Sequence, residues 1–177
     1  MHYLYYYFLL LTGNLDKTKS GYVYQLPKDA HFDLFGANYD ESFQQENVSY
    51  RGKVYPDDLP GLLKGSFGLA WDGPSAETCS DVFGEYLKYN NPHKTSLFFA
   101  AGLPVLVWRE AAISEFIQSN FCGILIDSLN EISDVLQNIT DEQYDEMLTS
   151  VNIIRQKIIL GEYMKKALEI SIMEYSI

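Results

Sequence analysis

The sequence predicts an α/β protein, a Rossmann-like doubly wound parallel sheet of about six strands with flanking helices. Short apolar runs recur along the chain and alternate with amphipathic stretches. The connections between them are mostly short, as strand–helix alternation in a parallel sheet requires. Residues 105–108 (Val-Leu-Val-Trp) are apolar throughout, the pattern of a central parallel strand buried on both faces.

The elements follow in order. Residues 4–12 read as the first strand, ended by Gly13 and Asn14. A weak helix over 16–26 is closed by Pro27. Strands over 31–35 and 47–54 come next, then a short helix over 56–63 and a fourth strand over 67–71. Residues 73–92 read as a long loop, and a loop of that length carries function or mobility. A helix over 93–101 ends at Gly102, with Pro104 just beyond. The fifth strand is 105–108, a helix covers 111–120, and the sixth strand is 123–127. From Glu131 onward the pattern is helical, broken near Thr140 and at Gly161. No internal repeat or low-complexity segment interrupts it, so residues 1–177 read as one domain.

Composition narrows the function. The chain has 177 residues, 47% hydrophobic and 21% charged, which suits a folded domain with a substantial core. A net charge of −11 disfavours a nucleic-acid binder, although a local basic patch can still hold a nucleotide. Cys79 and Cys122 stand far apart and form no metal-spaced cluster, so they read as reduced thiols of a cytoplasmic protein with no metal site. The tyrosine-rich run at residues 1–11 is too short for a membrane span, which needs ~20 residues. It has neither a basic leader nor a small-residue cleavage site, so a buried strand is expected there.

In doubly wound sheets ligands bind beyond the carboxyl ends of the strands. Gly13 and Asn14 after the first strand let backbone approach a ligand closely. The turn Asn91-Pro92-His93-Lys94-Thr95-Ser96 starts the helix before the fifth strand. A helix start offers open N–H groups and partial positive charge, Lys94 adds a full charge, and Thr95 and Ser96 add hydroxyls, a set that suits a diphosphate. The plainer alternative makes Asn91 a helix cap and Lys94 a solvated charge. Arg109 is a second basic group at the rim, and Tyr50 and Tyr55 are candidates to stack on a base. No GxGxxG, P-loop, GxSxG or paired-carboxylate signature is present, so no catalytic residue is assigned. Asp72, Asp81, Glu85 and Asp127 are read as caps or solvated charges near the crevice.

The landmarks Gly13-Asn14-Leu15, Tyr50-Arg51-Gly52, Pro56-Asp57-Asp58-Leu59-Pro60, the run from Phe67 to Gly73, the segment from Gly84 to Ser96, the run from Ala101 to Val105 and the late Gly161-Glu162-Tyr163-Met164 span nearly the whole chain. Together they resemble the C-terminal half of glucosyltransferase 3-like bacterial sugar transferases of GT-B fold. The resemblance implies a nucleotide-sugar donor-binding domain for UDP or a UDP-sugar, without cofactor or metal. It implies a phosphate role for Lys94 and donor-binding roles for Asn91, His93 and Thr95. It also sends the basic residue after Gly13-Asn14-Leu15 to the diphosphate; here that is Lys17, where arginine is expected, and lysine lacks the bidentate fork. One of Tyr50 and Tyr55 is expected beside the uracil. The N-terminal acceptor domain of such enzymes is expected to be absent, leaving the chain inactive or weakly active in hexosyl transfer. The alternatives are a half-enzyme completed by a separate partner chain and a degenerate, non-catalytic module that forms homo-oligomers.

Overall fold

The structure is a computed structural model that describes residues 7–174, so the start of the strand expected from residue 4 lies outside it. Strand β1 (Phe8–Asn14) leads into a one-turn helix α1 (Lys17–Ser20), capped by the Asp16 carboxylate, which accepts from the Thr18 N–H at 2.9 Å. A 3-10 turn over Gly21–Gln25 follows. The single helix expected over 16–26 is thus split. Helical geometry gives way at Gly21, which is pressed on the loop after the fourth strand: a Cβ there would stand 2.9 Å from the Pro74 Cα.

Next come β2 (His31–Ala37), β3 (Val48–Tyr50), α2 (Leu59–Leu62) and β4 (Phe67–Ala70). The third strand is shorter than the expected 47–54, because Gly52 at φ +82° turns the chain away from the sheet. The expected loop over 73–92 is a second departure. It contains helix α3 (Asp81–Glu85) and a 3-10 turn (Tyr86–Lys88). Helix α4 (His93–Ala101) and strand β5 (Val105–Trp108) match the expected bounds. Gly102 at φ +84° closes α4, its N–H reaching the Phe99 carbonyl at 2.9 Å. Then follow α5 (Ser114–Asn120), β6 (Gly123–Ile126), a 3-10 turn (Leu129–Glu131), α6 (Ile132–Asn138), α7 (Asp141–Ile159) and α8 (Glu162–Glu174). Both expected breaks are present: Thr140 makes a capping box with Gln143 at the start of α7, and Gly161 at φ +67° parts α7 from α8. No helix among the described residues is long and apolar enough to cross a membrane.

The strands form one sheet in the order β3-β2-β1-β4-β5-β6, with every neighbouring pair parallel. The order reverses between β1 and β4. β1 pairs with β2 along its whole length, from Phe8↔His31 to Asn14↔Ala37, but with β4 only at Leu9↔Phe67 and Leu10↔Gly68. Beyond that short seam the carboxyl ends of β1 and β4 part and leave a crevice, the switch point of a doubly wound sheet. Leu9, Leu10 and Leu11 of β1, Phe67 and Leu69 of β4 and Val105 and Leu106 of β5 are wholly buried. Their apolar runs need helices on both faces, and α4 and α7 pack together on one side.

Cys79 and Cys122 are free and buried, as expected of reduced thiols. Burial pushes each thiol up to about 12. At pH 8 the native chain is expected to stay unreactive toward a disulfide reagent, because the thiolate is the nucleophile. Both thiols should react once denaturant is added. Stoichiometric labelling of the native chain would contradict this.

Candidate functional site

A cleft of about 910 Å³ opens at the switch point. Its floor is the carboxyl ends of β1 (Thr12, Gly13, Asn14) and β2 (Phe35, Gly36, Ala37). Gly13 has φ +130°, which strains any other residue, and no atom lies within 4 Å of where its Cβ would be. Its backbone therefore faces open space. Gly36 packs behind it, since a Cβ there would fall 1.9 Å from the Gly13 carbonyl oxygen. Asn14 is pinned by its Oδ1, which accepts from Asn38 Nδ2 at 2.8 Å and from the Asp16 N–H at 3.1 Å.

Lys19 of α1 and Lys53, just past Gly52, line the cleft on the β1–β3 side. The Lys19 ammonium lies 5.6 Å above the ring of Phe83. The rest of the lining is the start of α4 (Pro92, His93, Lys94, Ser96, Leu97), Asn90, and an apolar wall of Phe83, Tyr86 and Leu87 from α3 and the following 3-10 turn. No side chain caps α4, so the cleft meets a helix start with open amides.

The Lys94 ammonium donates to the Trp71 carbonyl at 2.8 Å and to Asp72 Oδ1 at 2.9 Å. The pair is largely out of solvent, with side-chain exposures of 13% and 9%. Among the described residues, Asp72 is the sole carboxylate lining the cleft, against the three cations Lys19, Lys53 and Lys94. The lining therefore carries a formal charge of 3 − 1 = +2 within a chain of net charge −11. Lys19 and Lys53 make no ion pair among the described residues.

Of the residues named from the sequence, Gly13, Asn14, His93 and Lys94 meet in the cleft. Lys17 does not line it; its ammonium pairs with Asp40 at 2.5 Å and holds that carboxyl down at about 2. Tyr50 donates its hydroxyl to the Gly36 carbonyl at 2.7 Å, bracing the floor from behind, and packs on Tyr39. Tyr55 is 78% exposed and outside the lining, as is the exposed Asn91. Thr95 is wholly buried, its hydroxyl oxygen without a partner in the described structure. Arg109 forks onto Asp127 at 2.9 Å and the Leu125 carbonyl at 3.1 Å, away from the cleft.

Sequence reasoning missed Lys19, Lys53, Asn90 and the aromatic pair Phe83 and Tyr86. Lys19 had a readable signal: it lies two residues after Lys17, so on a helical turn it points roughly 200° away. Lys17 and Lys19 cannot both face one crevice. Phe83 and Tyr86 had none, because they fall in a segment read as loop. Among the described residues no group of three or more His, Cys, Asp or Glu is disposed to hold a metal ion.

A family model described as "Glucosyltransferase 3-like, C-terminal domain" matches residues 9–170. The chain is 40% identical over 166 residues to beta-1,6-galactofuranosyltransferase WbbI of Escherichia coli K12, covering 91% of this chain and 48% of that protein. It is 36% identical over 139 residues to glucosyltransferase 3 of Streptococcus gordonii, covering 76% of this chain and 40% of that one. The chain thus spans about half the length of the curated relatives it matches or less. Among solved structures, the fold is similar to AviGT4, a glycosyltransferase involved in avilamycin A biosynthesis, with a TM-score of 0.53, 16% identity and coverage of 88% and 52% of the two chains. It is also similar to Anabaena Alr3699/HepE, solved with UDP and glucose, with a TM-score of 0.52, 14% identity and coverage of 92% and 48%. The Rossmann-like sheet is therefore that of a GT-B half.

Proposed function

Because the chain belongs to the glucosyltransferase 3-like C-terminal domain family of glycosyltransferases, we propose that it is the half that binds a UDP-sugar donor for hexosyl transfer to a glycan or glycoprotein acceptor. The observation that carries this reading is the cleft's charge: +2 in its lining, at the switch point of the sheet, in a molecule that is otherwise acidic. A nucleoside diphosphate is an anion with a flat, apolar-faced base. The cations, the α4 amides and the Ser96 hydroxyl suit its phosphates. Phe83 and Tyr86, both exposed in the cleft wall, suit the base better than Tyr50 or Tyr55. The relative solved with UDP and glucose supports the same ligand class.

When the bond from the sugar C1 to the diphosphate breaks, negative charge gathers on the leaving phosphate oxygen. Fixed cations beside that oxygen stabilise it more than they stabilise the intact donor. Lys19, Lys53 and the third N–H of Lys94 suit this role, since all three residues line the cleft. Asp72 is held by Lys94, so no lining carboxylate is free to activate an acceptor hydroxyl. This half binds the donor and steadies the leaving group, and transfers little or no sugar by itself.

Calorimetric titration with UDP tests the reading. Saturable heat that weakens as salt is raised is the expected result, because the contacts are ionic and partly solvated. Absence of heat at millimolar UDP would overturn it.

A further inference from the structure

The ion pair between Lys94 and Asp72 has a role that charge alone does not explain. A carboxylate beside a phosphate site repels the ligand. Its oxygen lies 2.9 Å from an ammonium that also bonds a main-chain carbonyl, so it is not free to take a proton from a substrate. Resting on the donor-binding reading above, we infer that Asp72 is a positioning residue that fixes where the Lys94 ammonium stands, and that the cleft's hold on a nucleoside diphosphate depends on Asp72 only through Lys94.

The seat of Asp72 is built for this. Trp71, one residue before it, is wholly buried and donates its indole N–H to the Ser75 carbonyl at 2.9 Å. One residue after it, the Gly73 N–H donates to the Lys19 carbonyl at 2.9 Å, and the Gly73 carbonyl accepts from the Tyr22 N–H at 3.3 Å. From the other side α3 closes in at Gly84, where a Cβ would lie 2.5 Å from the Cys79 carbonyl carbon and 3.1 Å from the Asp72 carbonyl oxygen. The acceptors of Lys94 are thus anchored to β4, α1 and α3 together. Two of the three ammonium hydrogens are spent on them, leaving one directed by the others. A lysine held this way has already lost the rotamer freedom that a solvated lysine gives up on meeting a ligand. The carboxylate's repulsion is offset by Lys19 and Lys53, which make no ion pair among the described residues.

A double-mutant cycle on UDP affinity in the full chain reads this coupling. Lys94→Ala should weaken UDP about tenfold, the worth of one charge-assisted hydrogen bond. Asp72→Ala should weaken it by a similar factor when Lys94 is present and by less than about twofold when Lys94 is already alanine. Asp72→Asn, which keeps an acceptor oxygen in the same place and guards against a folding defect, should stay within about threefold of the parent. A like loss with and without Lys94 would overturn the inference, as would tighter UDP binding by Asp72→Ala in the parent. A ligand-free arm separates this from the donor reading: acetylation of Lys94 by acetic anhydride, followed by mass spectrometry. It should be slower than at Lys53 in the parent and rise to the Lys53 rate in Asp72→Ala. An unchanged Lys94 rate in a folded variant overturns the positioning role. A parent that gives no heat with UDP sinks the donor reading instead, and the acetylation result still decides the hold of Asp72 on Lys94.

Discussion

Exchanging Lys19 and Lys53 together for glutamate will abolish measurable UDP binding while leaving the chain folded. The lining then goes from +2 to −2, with Lys94 and Asp72 still cancelling each other. Neither lysine has an ion-pair partner among the described residues, so no internal pair is broken. A hydrogen bond to a charged group contributes about 1.5–3 kcal/mol, so losing two costs roughly 3 kcal/mol or more, at least a hundredfold in affinity. Repulsion from the new carboxylates adds to the loss. Calorimetry with UDP checks the affinity, and thermal unfolding checks the fold. Lys28 and Lys64 provide the control. They are exposed, make no ion pair among the described residues and lie outside the cleft, and their double exchange makes the same change in net charge. That variant should keep UDP affinity within about twofold, because distant charges are screened. Equal losses in the two double variants would mean that global charge, not the cleft, governs binding.

The second large effect is on stability. Gly68 lies in β4 beneath α4, and a Cβ on it would stand 2.1–2.4 Å from three atoms of the Phe98 ring. Phe98 is wholly buried, so the ring has nowhere to move. Gly68→Ala should therefore cost about 3 kcal/mol, at the upper end of overpacking penalties. For a chain of this length that lowers the midpoint of thermal unfolding by roughly 6–12 °C. The clash is specific, which makes it checkable by rescue. Phe98→Ala alone opens a cavity and costs about 3–5 kcal/mol. Combined with Gly68→Ala, the total should fall well short of the sum, because the smaller residue at 98 makes room for the new methyl group. Additive losses in urea unfolding would show that the Gly68–Phe98 contact is not the source of the strain.

The parts of the fold that were legible in the sequence are those set by local chemistry. Helix α4 and strand β5 have the bounds their residues announce, because Gly102 closes the helix and the Val105–Trp108 run has a single reading as a buried strand. Where tertiary contact decides, the reading failed. The helix over 16–26 broke at Gly21 because of Pro74, more than fifty residues away in sequence. Helix α3 escaped notice because Gly84 reads as a turn residue, yet it is there to let the helix press against Cys79 and Asp72. The site divides the same way. Gly13 and Asn14 follow from the rule that ligands sit beyond strand ends, Lys94 from the chemistry of a helix start, and His93 from the family resemblance alone. Lys53 reaches the cleft only because the chain leaves the sheet at Gly52, and the burial of Thr95 depends on which face of α4 meets the core.

The seam between β1 and β4 divides the chromophores as well as the strands. Both tryptophans, Trp71 and Trp108, belong to the β4–β5 side, while the cluster of Tyr24, Tyr39 and Tyr50 lies on the β2–β3 side. Tryptophan emission therefore reports on the β4–β5 half of the sheet, and the other half carries no tryptophan. Trp71 also offers its carbonyl to Lys94, so the indole that reports on the second half is one residue from the ion pair at the mouth of the cleft. The molecule thus carries an intrinsic optical label for one half of its sheet, buried directly behind the acceptors that hold Lys94.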